Sequence, residues 1–304
     1  MGKFIMAIWL PWCWKTTYYE NELKDDYVHI SSDEIREELY WDVNDQEHNE
    51  EVFQEMYRRT VETLKQNKNV YYDATNISRK RREHLLNQLK QRLREYTIRY
   101  HCVIFAIDIY EVKRRNKQRE RVVPEYVIDR MFKNICIPEY EEWRDKIKVI
   151  NLESAKWICE RLLNELMDMQ HDNPHHSLTI WKHMCKSSEE YVNSLPQEII
   201  QIFKVFLEYK ILYYTIRYHD LWKLYTKAFD EDWVAHYYNH QNISAYIYLC
   251  DCKLDDNHLL AAKLILHHMD LYNKNINKET IINKYWEPFL ERLEVVNKYD
   301  IKWK

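Results

Sequence analysis

Phe4-Ile5-Met6-Ala7-Ile8-Trp9-Leu10-Pro11-Trp12-Cys13-Trp14-Lys15-Thr16-Thr17 decides the fold of the N-terminal half. An apolar run feeds a short turn, then Lys-Thr-Thr, then a polar helical segment. That is the strand–loop–helix layout of a phosphate-binding loop, whose signature is G-x-x-x-x-G-K-[ST]. Lys15 and Thr16 stand where the signature requires them. Trp9 and Trp14 occupy its two glycine positions, and Trp12 a place that is often glycine too.

The whole composition repeats this oddity. The 304 residues include one glycine, Gly2, and eleven tryptophans, where average glycine usage is about 7%. Tryptophan is a poor residue for turns that need positive φ. The pattern reads as a sequence whose glycines have been systematically replaced, by engineering or otherwise. Tyr96 to His101 also recurs word for word at Tyr214 to His219. A net charge of −4 marks no global binder of nucleic acid or membrane, so any polyanion site is local. Seven cysteines without metal-type pairing, no signal peptide and no long apolar run predict a reduced, cytoplasmic setting with no membrane partner.

Working outward, residues 3–8 read as a buried strand and 18–24 as the helix after the loop. Val28 to Ile30 is a second strand, followed by a helix with Ser32 as N-cap. A helix over 49–66, a strand over 69–73, a basic helix over 80–96 and a strand over 102–107 follow. Pro124 starts another helix, and 147–150 is a last short strand. Strands alternating with helices imply a mostly parallel sheet wrapped by helices. After Asn151 helical periodicity dominates and no clear strand follows. The boundary falls between about Leu152 and Asn173, with Asp172-Asn173-Pro174 as a junction; the predicted domains are 1–155 and 156–304.

Each group of candidate residues in the first half follows a predicted strand. Asp33 and Arg36 sit one helical turn apart after the second strand, suited to proton abstraction and phosphate binding. Asp73, Thr75 and Asn76 follow the third strand, on the carboxyl edge where open α/β sheets bind ligands. Arg115, Arg119 and Arg121 stand on a basic segment suited to neutralise a transferring phosphoryl group. The plainer reading, a surface ion pair and a solvated basic face, is outweighed by the order of the pieces. Leu10-Pro11-x-x-x-Lys15-Thr16-Thr17, Ser32-Asp33-x-x-Arg36, Asp73-Ala74-Thr75-Asn76 and Arg115-x-x-x-Arg119 before Val123-Pro124 together resemble the P-loop 5′-hydroxyl polynucleotide kinase family.

That resemblance implies a P-loop kinase fold, ATP with Mg²⁺ as phosphoryl donor and a nucleic-acid 5′-OH as acceptor. Lys15, Thr16 and Thr17 would hold phosphates and metal, Asp33 would be the general base, Arg36 an acceptor-phosphate ligand, and Arg115 and Arg119 lid arginines. Pro138 to Ile147 resembles the family's closing segment, with Trp143 where glycine is usual. Indoles at Trp9, Trp12 and Trp14 predict impaired or absent ATP binding, because backbone must approach phosphate closely there and each Cβ penalises positive φ.

The second half concentrates histidines. Single histidines usually belong to surfaces or satisfied cores, but the ordered set His183, His219-Asp220, His240, His267-His268, Asp300 suits a divalent metal site gathered in a helical bundle. It resembles the HD-domain metal-dependent phosphohydrolases across roughly 173–304, which implies an all-α HD domain. On that match His183, His219, Asp220 and Asp300 are the principal metal ligands, and His240 with one or both of His267 and His268 the additional ones. Lys223 matches the lysine of His-Asp-x-Gly-Lys that contacts substrate phosphate, with Trp222 replacing the glycine. Asp270 ranks below Asp300 as the carboxylate. Mn²⁺, Ni²⁺ or Co²⁺ would serve as the metal.

Kinase and phosphohydrolase together imply a nucleic-acid end-healing enzyme acting on RNA or DNA ends, with a separate ligase as possible partner. The rivals are a kinase-phosphohydrolase of nucleotides or small molecules, and a binding module or altered variant without turnover.

Overall fold

The computed structural model describes residues 1–11, 15–118, 122–143, 145–151, 158–174, 176–197, 199, 207–251 and 256–303. The chain forms two compact units, Met1–Ile150 and Asn151–Lys304.

Unit 1 is a five-stranded sheet in the order β2-β3-β1-β4-β5. Its strands are β1 (Gly2–Ile8), β2 (Tyr27–Ser31), β3 (Asn69–Asp73), β4 (Ile98–Ala106) and β5 (Lys146–Asn151, whose last residue passes into unit 2). β1 pairs in parallel with β3 and β4, and β2 in parallel with β3. Flanked on both edges, β1 is covered on both faces, which is why Phe4 to Leu10 is nearly continuously apolar and every side chain of that run is buried. The helices are α1 (Lys15–Glu22), α2 (Ser32–Tyr40), α3 (Asn49–Lys65), α4 (Arg79–Arg92), α5 (Ile109–Asn116) and α6 (Glu125–Lys133).

Two helix starts differ from expectation by one position. Ser31, not Ser32, caps α2, its hydroxyl accepting from the Glu34 N–H; Ser32 is already inside the helix. Pro124 is the N-cap of α6 rather than its first residue. Downstream, Arg82 is buried and grips Glu142 through two bonds of 2.9 Å, tying α4 to the segment that buries Trp143 completely.

Unit 2 is built from α7 (Ile158–Glu165), α8 (Ile180–Asn193), α9 (Leu207–Tyr218), the short α10 (Lys223–Thr226), α11 (His240–Asp251), α12 (Asp256–His267), α13 (Lys278–Tyr285) and α14 (Glu287–Lys302). The expectation of no strands after Asn151 is corrected by a small antiparallel hairpin, β6 (Lys227–Phe229) with β7 (Ala235–Tyr237). The expected junction at Asp172-Asn173 is also corrected. Asp172 accepts from the Ala235 N–H at 2.8 Å and the Asn173 amide donates to the Ala235 carbonyl at 3.0 Å, so the segment is fastened to β7. No helix among the described residues is long and apolar enough to cross a membrane.

Candidate functional sites

Parallel pairing puts the ends of β1, β2 and β3 on one edge of the sheet, with Ser31 in register with Asp73. There the Lys15 ammonium, in the first turn of α1, stands 3.0 Å from Asp73 and 3.8 Å from Asp33. Arg36 donates to Asp33 at 3.2 Å and to the Asn49 side chain at 2.6 Å. These groups line a cleft of about 2190 Å³, together with Thr16, Thr17, Arg81 and Tyr126. The free N–H groups of a first helical turn beside a lysine suit a polyphosphate. Asn76, in the left-handed region at φ 47°, donates to the Ala7 carbonyl at 2.7 Å, and the Trp9 N–H donates to Thr75 at 3.1 Å. The Asp73-to-Asn76 corner is thus fastened to the base of the loop.

The sequence reading passed over His29. Both ring nitrogens meet carboxylates, Asp73 at 3.0 Å and Glu34 at 3.0 Å, and the ring stacks on Tyr19 at 4.4 Å. Burial opposes its charge, but the bonds to Asp73 and Glu34 prevail and hold the imidazole up at about 9. Burial would raise Asp73, yet His29 and Lys15 keep it below the usual carboxylate range.

Trp12, Trp14, Arg119 and Arg121 lie outside the described residues. Arg115 is on α5, bonded to Glu111 at 2.6 Å, and is not among the residues lining the cleft. Trp9 corrects part of the argument about tryptophan, since its φ is not positive. Its bulk acts instead: the indole is buried and the Lys15 ammonium sits 3.9 Å above its ring.

Unit 2 gathers its histidines from four different places. His183 lies on α8, His219 and Asp220 just beyond α9, His240 at the start of α11, His268 just beyond α12, and Asp300 on α14. All are buried. Each ring is locked by a backbone carbonyl at Nδ1: Trp303 at 3.2 Å for His183, Ile216 at 2.8 Å for His219, Tyr237 at 2.7 Å for His240 and Ile265 at 2.7 Å for His268. A carbonyl only accepts, so Nδ1 carries the proton and the neutral ring presents a bare Nε2. The Nε2 atoms then face each other in pairs, His183 to His219 at 3.4 Å and His240 to His268 at 3.3 Å.

Asp220 stands between the pairs. Its Oδ2 is 3.3 Å from His219 and 3.9 Å from His183, and its Oδ1 is 3.2 Å from His240 and 3.6 Å from His268. Lys223 reaches Oδ2 at 2.6 Å. Asp300 Oδ1 lies 3.0 Å from His183, while its other oxygen accepts from Tyr272 at 2.6 Å. Among the described residues, two sets come within metal-ligand reach: His183, His219 and Asp300, and His219, Asp220 and His268. Lone pairs facing at such distances repel unless a cation or proton lies between them, so this donor set fits divalent metal with a carboxylate shared by two positions. His267 is placed differently, with Nδ1 on Asp270 at 2.8 Å and its ring against Tyr285 and Phe289.

Burial would lower His219, but Asp220 and Asp300 push it up to about 10; a cation held between these groups would take the place of that second proton on Nε2. His268 is held down at about 4 by burial. His171 and His176, which flank the segment read as a junction, stand against His183 at ring separations of 5.7 and 5.6 Å. Neither was singled out in the sequence, because their contact with the centre is made only by the fold.

Comparison with known proteins bears on unit 1. Residues 13–136 match the family model described as an AAA domain. That span is less than half of the chain, and the five-stranded sheet of unit 1 is consistent with a P-loop kinase-like fold. Among solved structures, the Pnkp1/Rnl/Hen1 RNA repair complex matches with 21% identity, 43% of this chain, 42% of that chain and a TM-score of 0.34. This chain therefore spans less than half of the chain it matches there. No curated protein matches the sequence.

Proposed function

We propose that the chain is a bifunctional nucleic-acid end-healing enzyme, with a 5′-OH polynucleotide kinase in residues 1–155 and an HD-type phosphohydrolase in 156–304. The observation that carries it is the placing of Asp220 between two pairs of bare imidazole nitrogens, in one chain with a P-loop kinase-like domain.

In unit 1, ATP with Mg²⁺ would supply the phosphoryl group. Lys15 leaves Asp73 to contact the transferred phosphate, and His29 remains as the cationic partner of Asp73. Asp33, partly exposed to the cleft, takes the proton of the attacking 5′-hydroxyl. Arg36 holds Asp33 and presents its guanidinium to the acceptor strand. Thr16 and Thr17 complete the first turn of α1, and Arg115 and Arg119 would serve as lid arginines, a role that rests on the sequence resemblance. The seat of Lys15 on the Trp9 ring supports a second reading for this unit, in which the loop as written does not bind ATP.

In unit 2, one or two divalent cations such as Mn²⁺, Ni²⁺ or Co²⁺ would polarise a water and the phosphoester. His183, His219, Asp220, His240, His268 and Asp300 would hold them, and His267, bonded to Asp270, would act from the edge of the group. Lys223 contacts the substrate phosphate. The substrate is a 3′-phosphate or 2′,3′-cyclic phosphate, and the healed ends pass to a separate ligase.

The test is phosphate release from a 3′-phosphorylated oligonucleotide by metal-loaded protein. Asp220→Ala should lose that release along with bound metal. Hydrolysis and metal content unchanged in Asp220→Ala would refute the assignment.

A further inference from the structure

His171 and His176 have no part in the scheme so far. His171 is 1% exposed, and its Nδ1 lies 2.9 Å from the Leu178 carbonyl, so this ring too has a bare Nε2. That Nε2 is buried without a hydrogen-bond partner, as is Nδ1 of His176. The two rings stack at 3.8 Å and 13°, and both stand edge-on to His183. Tyr237 donates its hydroxyl to the His171 carbonyl, fixing the segment from the other side. The Lys223 ammonium lies 5.2 Å over the Tyr237 ring, which stands edge-on to His171 at 6.3 Å, so the pair borders the Lys223 side of the centre.

His171 belongs to neither group of metal-ligand donors. A bare imidazole nitrogen repels phosphate oxygens, which are acceptors themselves; it takes an O–H or N–H. In a ribonucleotide 3′-phosphate the O–H beside the phosphate is the 2′-hydroxyl, and a deoxynucleotide has none there. We propose that His171, backed by His176, is a hydroxyl-recognition subsite that accepts a hydrogen bond from the sugar hydroxyl next to the scissile phosphate. Unit 2 thereby selects ribose ends over deoxyribose ends. This inference rests on the phosphohydrolase reading and adds its sugar specificity.

Matched oligonucleotides with a 3′-phosphate on ribose or on deoxyribose test it, using the full chain loaded with Mn²⁺. Ribose should be favoured in kcat/KM roughly 10- to 100-fold, the effect of one hydrogen bond to a buried atom otherwise unpartnered. His171→Phe should bring that ratio to about 1 with metal content unchanged, and His171→Asn, which keeps an acceptor, should retain part of it. In the unmutated protein, the ¹⁵N resonance of His171 Nε2 should move when a ribonucleoside 3′-phosphonate binds and stay in place with its 2′-deoxy counterpart. Equal rates on the two sugars, or a ratio untouched by His171→Phe, would overturn the proposal. Failure on both oligonucleotides and on p-nitrophenyl phosphate would overturn the phosphohydrolase reading, and this inference with it.

Discussion

Replacing Trp286 by glycine should stabilise the protein. Trp286 joins α13 to α14 with φ 72° and ψ 159°, a region that is essentially glycine-only. Holding a side chain there costs roughly 1–3 kcal/mol. The indole is 79% exposed, so its removal forfeits little burial. Against the gain stands the extra freedom glycine gives the unfolded chain, about 0.4–1 kcal/mol. The net expectation is about 1–2 kcal/mol, which for a unit of this size raises Tm by roughly 2–8 °C. Trp286→Ala is the control, because alanine sheds the ring but keeps the Cβ and its strain. Thermal unfolding followed by circular dichroism reads the difference. A glycine variant no more stable than the alanine variant would refute the reasoning that Trp286 sits at a glycine position.

Trp41, the left-handed C-cap of α2 at φ 57° and 87% exposed, should respond to glycine in the same direction, by about 1 kcal/mol or less by the same comparison. His29 predicts a pH effect. Its folded pKa of about 9 lies above its ordinary 6.5, so its contribution is fully present below 6.5 and lost as pH rises through 9. His29→Gln should therefore destabilise by up to roughly 3 kcal/mol at pH 6 and much less at pH 10, measured by urea unfolding at both values. Mn²⁺ at a hundredfold excess over its Kd should add about 2.7 kcal/mol, raising Tm reversibly until a chelator is added. With Asp220→Ala that rise should disappear. Lys15→Ala should remove ATP binding from any variant that has it, measured by calorimetry.

Much of unit 1 was legible because its signals are local. The continuous apolar run of β1, and Asp73 with Asn76 at the end of β3, stand as their spacing suggests. Helix ends and short turns were harder to read, and the missing glycines are one physical reason. Trp41 at the C-cap of α2, Trp233 at φ 58° in the β6–β7 turn and Trp286 between two helices occupy backbone that glycine normally announces. Without that punctuation a hairpin with strands of three residues had no signature. The repeated hexapeptide shows the opposite limit. Its first copy, Tyr96 to His101, runs into strand β4, and its second, Tyr214 to His219, lies mostly in helix α9. Tertiary context overrides propensity there. In unit 2 the ordered histidines were visible as a pattern. That Asp220 faces two imidazole pairs, that His268 rather than His267 joins the group, and that His171 borders it are products of long-range packing.

The central claim is that one chain carries two separable chemistries, one in each of its two units. Its most direct test is an RNA bearing a 5′-OH and a 3′-phosphate, incubated with ATP, Mg²⁺ and Mn²⁺ and the chain with glycine restored at Trp9, Trp12 and Trp14. The account predicts a 5′-phosphate and a 3′-OH on the product, with Asp33→Asn losing only the first change and Asp220→Ala only the second. Loss of both changes from either single substitution, or neither change in the restored chain, would contradict it.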